Sequence, residues 1–152
     1  MPSDIINYSK IPIYNFVLEL EAPMGDLRRF ADEILSDDRI DFSKLNPEVC
    51  HLTTGDRRRW RLTHWGAPSL PLVKKVQWHN GRLVVCASTE ITFPEMALNR
   101  LIKHYNLIFR RGFCLADDES EALMLSSDKD MPIKTHYLTR LQMRQAGLLK
   151  IL

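Results

Sequence analysis

Cysteine is scarce in this chain. Cys50, Cys86 and Cys114 are the three among 152 residues, too few and too scattered for a disulfide framework, and they predict a reducing, cytoplasmic setting. Long apolar runs are missing as well. No stretch approaches the ~20 residues that span a bilayer, so no membrane partner is expected. Met1 to Lys10 holds no basic region followed by an apolar one, so no secretory signal is expected. Repeats and low-complexity segments are absent. So are the P-loop, the dinucleotide-binding fingerprint and the hydrolase elbow. His51, His64, His79, His104 and His136 show no paired metal spacing, and the adjacent Cys50 and His51 cannot easily chelate one ion together. Nothing near a cysteine marks an activated thiol. The chain is therefore read as a non-enzyme with no catalytic residue, no metal ligand and no cofactor.

What is present suits one globular domain over residues 1–152. Apolar residues make up 45% and charged residues 26%, and a chain this long can bury a core without covalent staples. The net charge of +2 hides an asymmetry: residues 1–56 carry a balance of −6 and residues 57–152 a balance of +8. Either the basic part meets a nucleic acid or an acidic protein, or the two parts lie side by side and their charges interleave.

Along the chain, Ile13 to Leu20 alternates as a strand. Leu27, Phe30, Ile34 and Leu35 then recur at helical spacing after Pro23-Met24-Gly25-Asp26, with Asp26 as the expected N-cap. Residues 38–70 read as an irregular insertion in which Phe42 and Leu45 point inward. Leu72 to Trp78 and Arg82 to Ser88 form a hairpin across His79-Asn80-Gly81. Thr92 and Glu95 suggest a capping box for a helix with Leu98, Leu101 and Ile102 on its apolar side. Leu107 to Leu115 is a strand, with a bulge expected at Gly112. Asp117 to Glu121 is an acidic turn or a short helix start, and Ser120 to Pro132 a tether. Tyr137 to Leu152 is expected to be a helix with Leu138, Leu141, Leu148, Leu149 and Leu152 on one side and Arg140 and Arg144 on the other. The order predicts an α+β fold: a ferredoxin-like β-α-β-β-α-β antiparallel sheet over residues 11–115 with two covering helices, and a C-terminal helical extension over 116–152. That last helix either packs back on the domain or reaches a second copy, giving a homodimer, or a host protein.

Three phrases carry a resemblance: Ile40-Asp41-Phe42-Ser43-Lys44-Leu45-Asn46-Pro47, then His64-Trp65-Gly66, then Thr89-Glu90-Ile91-Thr92-Phe93-Pro94 leading into a helix. In these, over residues 11–115, the chain resembles the YubB-type ferredoxin-like proteins of plasmids and phages. The second Trp that in that family follows close after Trp-Gly is not found near Trp65-Gly66, where Ala67-Pro68-Ser69 follows, and the family's double Pro is missing. The resemblance implies the fold and a home on a mobile genetic element. It also implies a role against host defence, as an anti-CRISPR or similar anti-defence inhibitor, and brings no catalytic residues.

The sharpest local feature is Arg57-Arg58-Arg59-Trp60-Arg61, with Trp65 shortly after. Arg and Trp are favoured at protein interface hot spots, so a host protein or a protein–nucleic-acid complex is one expected partner. Four guanidiniums beside an indole also suit phosphates and a stacked base, which gives the alternative of a single-stranded nucleic-acid-binding module. A third reading is a solvated basic loop with Trp60 tucked into the core. Trp65 and Trp78, and likewise Cys86 and Cys114, are expected in the core.

Overall fold

Alternation of apolar residues builds the centre of the sheet. In the computed structural model, which describes residues 11–35, 38–48, 52–118, 120–127 and 131–145, strand β1 is Ile13–Glu21. Its Phe16, Leu18 and Leu20 are buried on one face, as the two-residue period of a strand requires. Helix α1 (Met24–Ile34) lays Leu27, Phe30 and Ile34 over that face. A 3-10 turn (Phe42–Lys44) and helix α2 (Thr54–His64) follow. Strands β2 (Leu72–His79) and β3 (Arg82–Glu90) form the expected hairpin. It closes through Asn80-Gly81, where Gly81 takes the positive φ of 71° that side chains disfavour. Helix α3 (Glu95–His104), strands β4 (Ile108–Ala116), β5 (Ala122–Ser126) and β6 (Lys134–Tyr137), and the short helix α4 (Arg140–Gln145) complete the described chain.

The sheet has six strands in the order β2-β3-β1-β4-β5-β6, and all neighbours are antiparallel. Its inner face, with α1 and α3, encloses the main core. Phe16 meets Phe93 edge-on at 5.2 Å and Phe30 meets Tyr105 at 5.5 Å, the geometry that aromatic quadrupoles favour. Leu27, Phe30, Ile34, Leu98, Leu101 and Ile102 are all buried, as their spacing predicts.

Several expectations are corrected. The fold is α+β with an antiparallel sheet, but six strands replace the four expected. Residues 38–70 are not an irregular insertion throughout, because α2 spans eleven of them. Its sequence, TGDRRRWRLTH, buries no residue and so has no apolar stripe to betray it. A signal was there: the Thr53 side chain caps the Asp56 N–H at 3.2 Å and donates to its carboxylate at 2.8 Å, the start signature T-x-x-D.

The C-terminal part is not a tethered helix. Ala122–Ser126 is a strand whose Leu123 and Leu125 are buried beside β4, and Tyr137 ends a strand. Asp117 and Asp118 make a turn. Met143 of α4 packs on Leu115 and Ala122, on the sheet face away from α1 and α3, while Leu148, Leu149 and Leu152 lie outside the described residues. Neither expected cap forms: Pro23 and Pro94 take the N-cap positions without side-chain bonds, and the Thr92 hydroxyl donates instead to the Gly66 carbonyl. The bulge falls at Arg110, between the Glu19–Arg111 and Leu20–Phe109 pairs. Gly112 matters for closeness, since a Cβ there would meet the Val17 carbonyl oxygen at 2.3 Å. Trp65 and Cys114 are in the core as expected, whereas Trp78 is exposed and Cys86 half-buried.

Candidate binding surfaces

Helical geometry divides the arginine cluster. At 100° per residue, Arg57 and Arg61 fall on one side of α2 and Arg58 and Arg59 on others. Arg61 is fully engaged. Its Nε and Nη2 donate to both oxygens of Glu48 at 2.7 and 3.2 Å, and its Nη1 donates to the Pro68 carbonyl at 3.2 Å. The guanidinium also lies 5.4 Å from the centre of the Trp65 ring, a stacking arrangement suited to arginine. Arg57 reaches Glu48 at 3.5 Å. Arg59 pairs with Asp56 at 3.5 Å while four-fifths exposed, a pair worth little in water. Arg58 is exposed.

The two indoles anchor the helix. Trp65 is buried, and its Nε1 donates to the Asn46 carbonyl at 3.0 Å. Trp60 is half-buried, edge-on to Trp65 at 5.6 Å and stacked on His64 at 4.3 Å. The His64 Nδ1 stands 2.8 Å from the Trp60 carbonyl oxygen. The structure thus brings Trp60, Arg61 and Trp65 together as the root of α2, and leaves Arg58 and Arg59 facing solvent.

A second surface escaped sequence reasoning. The sheet face away from α1 and α3 carries Asn15, Val17, Glu19 and Glu21 on β1, with Arg82 of β3 and Arg110 and Arg111 of β4 at their flanks. Glu19 accepts from Arg111 Nε at 2.6 Å and Arg82 Nη1 at 3.3 Å. Glu21 lies 3.7 Å from Arg82 Nε and bonds Arg110. Burial alone would push the Glu19 carboxyl up. The hydrogen bonds and charges of Arg111 and Arg82 outweigh it and hold the group below its ordinary value. Lys74 donates to the Asn15 side-chain oxygen at 3.0 Å on the same face, and Lys75 sits opposite Cys86. The charge asymmetry therefore interleaves in part: acids of the first third lie between bases of the remainder. The signal available in the sequence was the second parity of each strand, but its meaning depends on which strands are neighbours.

Two further hollows lie elsewhere among the described residues. A hollow of about 460 Å³ beside Arg61 is lined by Arg39, Glu48 and Glu90; Glu48 there accepts from Arg61, and Arg39 donates to the Leu70 carbonyl at 3.2 Å. Another, of about 430 Å³, lies between Ile13, Tyr14 and the Asp117–Asp118 turn. Burial and a 2.5 Å bond to Glu121 raise the Tyr14 hydroxyl well above its usual value. Burial pushes the Cys114 thiol up to about 12, which leaves it unreactive. Among the described residues no three His, Cys, Asp or Glu side chains gather as a metal site, and no helix is long and apolar enough to cross a membrane. Cys50 and His51 lie outside the described residues. No family model, curated protein or solved structure matches this chain.

Proposed function

We propose that this chain is a non-catalytic protein-binding module of a mobile genetic element, built on a ferredoxin-like core, and that it inhibits a host defence complex. The observation that carries the reading is helix α2. It is rooted by Trp60, Arg61 and Trp65 and presents Arg58 and Arg59 to solvent, where they have no packing duty. Guanidiniums held on a rooted helix fit an acidic patch on a partner protein, where charge complementarity steers encounter and fixes register. The resemblance of residues 11–115 to YubB-type proteins supports the mobile-element setting. The run β2-β3-β1-β4 within the sheet supports the ferredoxin-like assignment: first and third strands lie inside, and the crossovers β1 to β2 and β3 to β4 each carry helix. In this reading β5 and β6 are a hairpin added to that core. The alternative, a single-stranded nucleic-acid module using Arg57–Arg61, has less behind it on α2, because Trp60 and Arg61 are already engaged.

The test is affinity capture from host lysate with the full chain and with an Arg58→Glu/Arg59→Glu variant, alongside a plasmid or phage challenge of defended cells. The expected result is one specific host protein held by the parent chain and reduced at least tenfold by the variant, with protection of the invading element reduced in step. Melting should fall only slightly, because both side chains are exposed and the Arg59–Asp56 pair that the variant breaks is worth little in water. Equal capture by the two chains, or none by a folded parent, refutes the reading.

A further inference from the structure

Three arginines and two lysines converge on a face that none of the core helices covers. Arg82 and Arg111 stand on the strands that flank β1, about 10 Å apart given the ~4.8 Å spacing of neighbouring strands. The side chain of Arg111 is 82% exposed, and those of Arg110 and Arg82 are 48% and 43% exposed. Glu19 and Glu21 lie deeper, at 10% and 28%. The carboxylates thus form a floor that fixes the guanidiniums, and each guanidinium has five N–H donors, more than these bonds use. Three guanidiniums over two carboxylates leave one positive charge, and Lys74 and Lys75 raise it to three. Glu90 and Asp117 lie on the same face, and Asp117 accepts at 3.3 Å from the Asn15 side chain that Lys74 also bonds, so the excess of cations is greatest at Arg82, Arg110 and Arg111. Between the charged rows Val17, Val84 and Cys86 are half-buried, an apolar strip open to solvent.

We propose that this open sheet face docks a single-stranded nucleic acid, its phosphates on the Arg82–Arg110–Arg111 and Lys74–Lys75 groups and its unpaired bases against the Val17–Val84 strip. The cations stand on β2, β3 and β4 around the acids of β1, a spread of positive charge over the face that suits a flexible polyanion. An acidic protein surface carries interspersed cations of its own. Val17, Val84 and Cys86 offer apolar contact to the faces of unpaired bases, faces that a duplex keeps stacked inside. Helix α4 stands on the β4–β5 part of the face through Met143 and narrows it, which favours a chain that bends over a rigid duplex. The surface is separate from α2, so this inference and the protein-binding reading stand or fall independently.

The experiment is fluorescence anisotropy of a labelled mixed-sequence 20-nucleotide single strand, as DNA and as RNA, titrated with the full chain between 20 and 300 mM salt. Binding is expected, with log affinity falling against log salt at a slope of about −2 to −3, as three to four contacted phosphates require. Lys75→Glu and Arg111→Ala should each weaken binding at least tenfold with melting temperature changed little for the lysine variant, whereas Arg58→Glu/Arg59→Glu should leave it within twofold. No binding at 20 mM salt overturns the proposal. So does equal affinity for a duplex, equal affinity for polyglutamate, or a loss that follows the α2 variant while the Lys75 variant binds normally.

Discussion

Glu19 shows how one side chain gains meaning from its neighbours. It sits on an exposed-face parity of β1, yet it is largely covered by the arginines of β3 and β4. A carboxyl held below its ordinary value in the folded protein stabilises the fold above the unfolded pKa, about 4.3 for Glu. That stability is lost as pH falls through the lower folded value. Replacing Glu19 with Gln removes the charge and leaves Arg82 and Arg111 facing each other. The expected outcome is a lower melting temperature at pH 7, with the gap to the parent narrowing as pH drops below about 4. Thermal denaturation followed by circular dichroism from pH 3 to pH 8 checks this. A gap that stays constant across the range would show that the carboxylate charge is not what matters.

At the scale of elements, a buried amide joins α3 to the entry of β6. Asn99 lies on the apolar side of α3, 4% exposed. Its side-chain nitrogen donates to the Ile133 carbonyl at 2.9 Å, and its oxygen accepts from the Ile133 N–H at 2.7 Å. Both backbone groups of Ile133 are thus satisfied away from water, which lets a chain segment outside the ladder be buried. Asn99→Ala leaves them unpaired and is expected to lower stability by about 2 kcal/mol, read as a shift of the urea midpoint with the m-value unchanged. In the sequence, Asn99 reads as an interruption of an apolar stripe. Its partner lies 34 residues away, and no local pattern points to it. Helix α2 teaches the opposite lesson, since its cap was legible in Thr53 and Asp56 while its lack of apolar period concealed the rest.

For the molecule as a whole, the C-terminal residues decide whether the sheet is complete. Ile133 is fully buried in the main core and Met143 in the smaller one. Loss of both would expose Leu123, Leu125 and Ala122 along β5, an unprotected apolar edge. A chain truncated after Asp130 is therefore expected to aggregate, or to melt well below the full chain, in scanning fluorimetry and size-exclusion chromatography. Retained melting temperature with a changed oligomeric state would instead mark the segment as an interaction element, the role that Leu141, which is exposed, leaves open to it.

The sequence by itself determined the α+β class, the central strands, the two covering helices and most of the core they share. All of these follow from periods of two and 3.6 that are local to a segment. It also marked the arginine cluster. Only the tertiary structure decided how that cluster divides, because which guanidinium meets Glu48 and which meets water depends on the direction α2 leaves the core. The same holds for β5, β6 and the charged sheet face. Whether Arg82, Arg110 and Arg111 converge on Glu19 and Glu21 is set by strand order and register, and these arise from contacts some 60 to 90 residues apart that no window along the chain contains.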